Sequence, residues 1–329
     1  MQIIAVDAMG GDNAPAEIVL GAVNASKDID YKIALVGKED VVNEELSKYE
    51  YNKDKIIVVN ASEVIENCDQ PTVAIKKKKD SSMVVGMNMV KKGEAAAFVS
   101  AGNTGALLTG ATVIVGRIKG VERPALGTML PTEKGFTLLI DAGANVDAKP
   151  SYLVQFATMG SVYVENVSGI KDPKVGLVNI GAEREKGNAV VKETYELLEQ
   201  QDKINFIGNV EARDITKGQA DVVICDAFVG NVILKFMEGF GKTMLSMIKS
   251  ELKADLVSKI GAVISMKAFK RLKKRFDYDD IGGAPFLGLK ALVVKAHGSS
   301  DNRAIRGAII QCAKFIDGDI VNKIAEKLS

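Results

Sequence analysis

Short apolar runs, many of them β-branched, recur along the chain, and each gives way to glycine, aspartate or asparagine. They lie at Ile3–Val6, Ile33–Val36, Ile56–Val59, Ala97–Val99, Thr137–Ile140, Val175–Val178, Asn205–Ile207, Val222–Ile224 and Leu292–Val294. Most lack polar alternation, which predicts strands covered on both faces. Between them, apolar positions recur at helical spacing over Asp40–Lys48, Ser82–Lys91, Thr104–Gly116, Ser151–Val164, Asn188–Gln200 and Asn231–Lys249. Pro15 opens a further helix with Ile18, Val19 and Ala22 on one face. Alternating β and α units predict an α/β fold, a three-layer α/β/α sandwich around a mostly parallel mixed sheet. With no internal repeat and no low-complexity linker, residues 1–329 are expected to form one α/β domain.

The strand ends carry the chemistry. Asp7-Ala8-Met9-Gly10-Gly11-Asp12-Asn13-Ala14-Pro15 follows the first strand, and Ser100-Ala101-Gly102-Asn103-Thr104-Gly105-Ala106 follows Val99. Asp141–Asn145, Asn179–Asn188, Cys225–Asn231 and Ala296–Ser300 end later strands in the same way. Gly10 and Gly11 permit positive φ and close approach of a ligand. A strand, a glycine turn and a helix N-terminus together can hold an anion through backbone N–H groups. Any one such loop is equally an ordinary βα turn. In a parallel sheet, however, they are all expected at the carboxyl edge, gathered in one crevice.

Composition narrows the class. Over 329 residues, 47% hydrophobic and 26% charged side chains with a net charge of +1 describe a globular protein without a globally basic surface. No nucleic-acid partner is expected. Cys68, Cys225 and Cys312 are scattered and form no CxxC, which predicts a reducing, cytoplasmic setting. The N-terminus shows neither the charged region nor the cleavage site of an export signal, and no run reaches the roughly 18 apolar residues of a membrane span.

Several familiar chemistries are missing. No GxGxxG follows a strand, and Gly239-Phe240-Gly241-Lys242-Thr243 lacks the first glycine of a phosphate loop, with Phe236 in its place. One histidine and dispersed cysteines disfavour zinc. Asp7, Asp12, Asp141 and Asp226 would hold Mg²⁺ only if they converged. No GxSxG presents a serine to His297. Cys225 ends a buried strand pattern and reads as structural.

Taken in order, DAMGGDNAP at 7–15, SAGNTGA at 100–106, DAGAN at 141–145, NIGAE at 179–183, DAFVGN at 226–231 and HGSS at 297–300 resemble the PlsX family of phosphate acyltransferases. The likeness runs from residue 1 to about 317. The resemblance implies acyl transfer from acyl carrier protein (ACP) to inorganic phosphate, giving acyl phosphate and holo-ACP for phospholipid synthesis. It also implies a homodimer with the fold of isocitrate and isopropylmalate dehydrogenases but without their nicotinamide. No cofactor and no metal are expected.

That reaction asks mainly for positioning and oxyanion stabilisation, because phosphate is already a nucleophile and a thiol of pKa about 8.5 is a tolerable leaving group. Gly102, Asn103, Thr104 and Gly105 are expected to hold phosphate, with Gly10, Gly11, Asp12, Asn13, Asn145 and Gly181 shaping the pocket. Lys186 would neutralise charge, Asn231 would donate to the oxyanion, and Asp226 would orient one of them. His297 would protonate the leaving sulfur, although a lone histidine is often a packing residue. Asp7 and Asp141 are expected to fix loops by accepting backbone N–H bonds.

Two basic stretches remain. Lys76, Lys77, Lys78 and Lys79 form either a solvated run or a docking patch for acidic ACP. Further on, Lys267, Lys270, Arg271, Lys273, Lys274 and Arg275 place six cations in nine positions. Leu252, Leu256, Val257, Ile260, Val263 and Ile264 share one helix side, whereas Phe269, Leu272 and Phe276 share another. A break around Gly261–Met266 is therefore expected, within a projecting arm at about 235–280. Its tip at Ala262-Val263-Ile264 would touch an anionic membrane surface, a membrane glycerol-3-phosphate acyltransferase beside it, or a second copy. The alternatives are a phosphotransacetylase-like enzyme using acyl-CoA, a metal-dependent hydroxy-acid dehydrogenase, and a non-catalytic organiser of lipid synthesis.

Overall fold

The computed structural model describes residues 2–276 and 282–328, the side chains of 273–276 excepted. The first half of the chain runs β1 (Ile3–Asp7), α1 (Ala16–Ala25), β2 (Lys32–Gly37), α2 (Glu39–Leu46), β3 (Ile56–Asn60), α3 (Pro71–Lys77), α4 (Ser82–Lys91), β4 (Ala97–Ser100) and α5 (Thr104–Gly110), which widens into a π turn at Ala111–Val115. There follow β5 (Ala125–Thr132), β6 (Gly135–Ile140), α6 (Pro150–Ser168), β7 (Lys174–Asn179), α7 (Ala189–Glu199), β8 (Asn205–Glu211), α8 (Ala212–Ile215) and β9 (Val222–Ile224). The chain closes with α9 (Ala227–Glu251), α10 (Leu256–Ile264), α11 (Met266–Phe276), β10 (Ala284–Leu287), β11 (Leu292–Lys295), α12 (Asn302–Asp317) and α13 (Ile320–Leu328).

The described strands form one eleven-stranded sheet in the order β3-β2-β1-β4-β11-β10-β5-β6-β9-β7-β8. Strand residues alternate between two cores. Ile4, Val6, Val99 and Ile140 join one with α1, α6 and α12, while Ala5, Phe98, Leu139 and Val223 join the other with α4 and α5. That is the expected three-layer sandwich. All nine expected strands form, and β5 and β10 are additional.

Those two extra strands change the site. Three successive pairings, β11–β10, β10–β5 and β5–β6, are antiparallel. An odd number of reversals makes the parallel set β3-β2-β1-β4-β11 run opposite to the parallel set β6-β9-β7-β8. The expectation of a single carboxyl edge is thereby corrected. Loops after β1, β4 and β11 lie on one edge of the sheet, and loops after β6, β7 and β9 on the other. From Ser100 at the end of β4 to Ile140 at the end of β6 there are four strand spacings, roughly 19 Å, and the pairing registers offset the two ends by about one residue along the strands.

The expected helix break falls at Ser265, between α10 and α11. A second break, at residues 252–255, separates α10 from α9, where Asp255 caps α10 by accepting from Ser258 N–H at 2.8 Å. No residue of α10 is buried.

Candidate active site

On the first edge, three loops are laced together. Asp7 is buried at the end of β1, where its Oδ2 accepts from the Ser100 hydroxyl at 2.7 Å and its Oδ1 from Met9 N–H at 3.2 Å. Burial pushes its carboxyl above the usual range. Gly10 packs where a Cβ would overlap that carboxylate and lie 2.9 Å from Gly102 N, so the glycine serves loop–loop contact. Gly11 has φ +109°, open to glycine at little cost. Asp12 N–H donates to Gly298 O at 2.8 Å, and the Asn13 amide donates to Ser299 O and Ser300 O, each at 3.2 Å. Asn103 spans the remaining gap. Its amide donates to the carbonyls of Glu66, Asn67 and Asp69, and its Oδ1 caps α5 through Ala106 N–H at 3.0 Å. Gly105 lies against Pro71, and Thr104 is exposed. His297 is exposed, with Nδ1 2.8 Å from the Ser299 hydroxyl.

The second edge has its own anchor. Buried Asp141 accepts from the N–H groups of Leu126, Gly143, Ala144 and Asn145 and from the Asn145 amide, at 2.7 to 3.1 Å. Both it and Asp7 hold their loops as expected. Asn145 passes the order on, since its carbonyl accepts from Ala227 N–H at 2.9 Å. A Cβ on Gly230 would overlap the Asp141 carbonyl, so α9 docks directly on this loop. Asp226 caps α9 by accepting from Val229 N–H at 2.8 Å. Lys186 is positioned by its backbone: its N–H donates to Glu183 O at 3.2 Å and its carbonyl accepts from the Asn179 amide at 3.1 Å. The side chains of Lys186 and Asn231 stand exposed, and Gly181 is buried in the same loop. Cys225 is buried beside Asp141, and burial drives its thiol well above its normal range, which suits a structural cysteine.

The expected residues therefore assemble as two groups. Gly10, Gly11, Asp12, Asn13, Gly102, Asn103, Thr104, Gly105 and His297 form one, and Asn145, Gly181, Lys186, Asp226 and Asn231 form the other. Asp7 and Asp12 do not meet Asp141 and Asp226 within the chain. Among the described residues, no cluster of three or more His, Cys, Asp or Glu side chains is arranged for a metal ion. One charged residue of the first edge escaped the sequence reading: Lys295, which ends β11 partly buried beside Ala101. Its signal was a lysine closing an otherwise apolar strand. In the polylysine run, Lys76, Lys77 and Lys79 are exposed, whereas Lys78 turns inward to Asp69 at 2.5 Å and Val64 O at 2.8 Å. A docking role for Lys78 is corrected to a structural one. Ile264, Lys267, Lys270 and Arg271 are exposed, and the side chains of Lys273 and Lys274 lie outside the described residues.

Residues 2–323 match the sequence model of a family described as fatty acid synthesis protein. The chain belongs to this family. Over 327 residues it is 52% identical to the phosphate acyltransferase of Clostridium perfringens strain SM101, covering 99% of this chain and 96% of that one. The phosphate acyltransferase of Alkaliphilus oremlandii is 50% identical over 326 residues, 99% and 97% of the two chains. This member of the family is an enzyme, a phosphate acyltransferase, as its motifs implied. Its fold is shared with a phosphotransacetylase from Streptococcus pyogenes, at TM-score 0.63 and 18% identity over 96% and 94% of the chains. A 4-hydroxythreonine-4-phosphate dehydrogenase from Klebsiella pneumoniae follows at TM-score 0.54 and 11% identity, over 96% and 99%. Such identities speak to architecture alone. No described helix is long and apolar enough to cross a membrane.

Proposed function

We propose that this phosphate acyltransferase moves a fatty acyl group from acyl-ACP to inorganic phosphate, supplying acyl phosphate for phospholipid synthesis. A phosphate oxygen attacks the thioester carbonyl, a C–O bond replaces the C–S bond, and the ACP thiolate takes up a proton. The observation that carries this reading is the exposure of Lys186, in the loop after β7, and of Asn231, near the start of α9, beside Asn179 and Asp226 side chains that are committed to the backbone. Lys186 neutralises developing charge, and Asn231, one turn into α9 from the Asp226 cap, donates to the oxyanion. Phosphate sits at Gly102–Gly105, where Asn103 shapes the loop, and His297 protonates the departing sulfur. No covalent intermediate is needed, and the buried Cys225 thiol suits that.

A homodimer would join the two loop groups. Phe228, Val232, Phe236, Phe240 and Met244 recur every four residues along α9 and are exposed. This stripe starts at the Asp226 cap, so a second copy covering it would abut the Lys186 and Asn231 group and bring a partner's loops to it. Lys76, Lys77 and Lys79 suit docking of acidic ACP. Exposed Leu256, Val257, Ile260, Val263 and Ile264 on α10, followed by Lys267, Lys270 and Arg271, suit peripheral contact with the inner face of an anionic membrane, beside the acyltransferase that consumes acyl phosphate. Acyl-CoA as donor is the second reading, favoured by the shared fold of the S. pyogenes phosphotransacetylase.

Thiol release from acyl-ACP with and without phosphate tests the reaction. Release that needs phosphate and is faster from acyl-ACP than from acyl-CoA is expected, whereas release from acyl-CoA alone would overturn the ACP assignment. Vesicle flotation tests the membrane: Ile264→Glu is expected to abolish binding to anionic vesicles, and unchanged binding would remove the tip as the anchor.

A further inference from the structure

Lys295 occupies a place that the reaction described above leaves unused. It ends β11, paired in register with Ser100 at the end of β4. Its ammonium donates to Ala101 O at 3.3 Å and, through a short contact, to Ala296 O. Those two carbonyls immediately precede Gly102 and His297, so one side chain clamps two of the three first-edge loops. Asp7 from β1 and Asp12 from the third loop act on the same ammonium. Apart from His297, the residues of these loops from 7 to 13, 100 to 105 and 295 to 300 carry no other basic side chain.

We infer that Lys295 is a positioning residue for phosphate: as the ammonium it holds the Ala101 and Ala296 carbonyls together, fixing the Gly102–Gly105 loop against the His297 loop. The inference rests on the reading that phosphate binds at this edge. A neutral amine keeps two N–H donors but loses the charge that strengthens both bonds and that Asp7 and Asp12 attract, so losing the proton weakens the hold on the two carbonyls and on the β1 loop's carboxylates.

Burial lowers the ammonium from the usual lysine range to about 8, while Asp7 and Asp12 hold the proton on and only partly compensate. The clamp is therefore closed below about pH 8 and opens as pH rises through that value. Folding stability moves the other way. Between about 8 and the ordinary lysine range the unfolded chain binds more protons at this group than the folded one, so this group's contribution to stability rises with pH there.

The test is the KM for inorganic phosphate in wild-type enzyme from about pH 7 to about pH 9.5, a range over which one proton loss gives a limiting rise of about tenfold per unit. The KM is expected to climb beyond about pH 8 while kcat at saturating phosphate changes less. Lys295→Arg, which stays charged, is expected to remove the climb. Lys295→Met is expected to show a high KM that no longer depends on pH. A flat wild-type profile, an unmoved climb in Lys295→Arg, or a wild-type KM in Lys295→Met overturns the inference. If wild-type enzyme releases no thiol with phosphate, the proposed reaction fails instead. Calorimetric titration with inorganic phosphate at both pH values then decides on Lys295 alone, and equal affinity overturns its role.

Discussion

Asp141 offers the sharpest test of how the second loop group is held. Asp141→Asn preserves the size of the side chain but replaces one acceptor oxygen by an NH₂ group. Oδ1 accepts from Leu126, Gly143 and Ala144 N–H at 3.1, 3.1 and 2.9 Å, and Oδ2 from Asn145 N–H and Nδ2 at 2.8 and 2.7 Å. Whichever oxygen is replaced, donors face a donor, and the cheaper orientation forfeits the two bonds at Oδ2. At about 1.5–3 kcal/mol for a hydrogen bond to a charged acceptor, that is a loss of roughly 3–6 kcal/mol. Burial already opposes the carboxylate charge, as its raised pKa records, so removing the charge returns part of the loss. A net destabilisation of about 2–4 kcal/mol is expected. Unfolding entropy of about 2.1 cal/mol/K per residue gives roughly 0.7 kcal/mol/K for 329 residues, so Tm should fall by about 3–6 °C. Urea denaturation read with the m-value, together with scanning calorimetry, measures both. A loss below about 0.5 kcal/mol would mean that the loop is held by something other than this carboxylate.

Lys186→Ala and Asn231→Ala are each expected to lower kcat by about 10²–10³-fold with folding intact, measured by phosphate-dependent thiol release; near-normal turnover in both would remove them from the reaction. Gly11→Ala forces a Cβ to within 2.9 Å of the Ala101 Cβ at φ +109°, so a loss of about 1–3 kcal/mol in stability and a raised phosphate KM are expected from denaturation and kinetics. Phe236→Glu places a charge in the middle of the apolar stripe on α9 and is expected to convert the proposed homodimer to monomers by light scattering, with activity lost in proportion; an unchanged oligomeric state would take the interface away from α9.

The layered fold was legible because buried strands with both faces covered leave unbroken apolar runs, and nine such runs became nine strands. The two strands that stayed hidden decide where the site residues fall. β5 carries Gly127 and Pro131, and β10 is four residues long with Pro285, so neither has a strong strand pattern. β5–β6 and β10–β11 are local antiparallel pairings, but the β10–β5 pairing that joins them links residues far apart in sequence, Phe286 to Leu126, and no local window holds that. Reading every strand end as one edge followed from missing them. Residue types were read more reliably than roles. Asn13, Asn103 and Asn145 were expected to shape the pocket or hold phosphate, yet their amides are spent on backbone carbonyls or on Asp141. Asp226 was expected to orient Asn231 or Lys186; its carboxylate accepts from Val229 N–H and caps α9, a local use open to an Asx residue before a helix. Lys295 was overlooked because its importance lies in what surrounds it after folding.

The return of β11 to pair with β4 also bears on how the chain is made. Residues 97–100 must wait for residues 292–295 before that side of β4 is covered, a separation of nearly two hundred positions. Until then a growing chain carries a bare strand on the N-terminal parallel set, and β5 lacks β10 on the facing side. Such unpaired edges invite intermolecular association. Synthesis arrested before residue 284 should accordingly yield aggregation-prone products, and chaperone demand should peak late in translation.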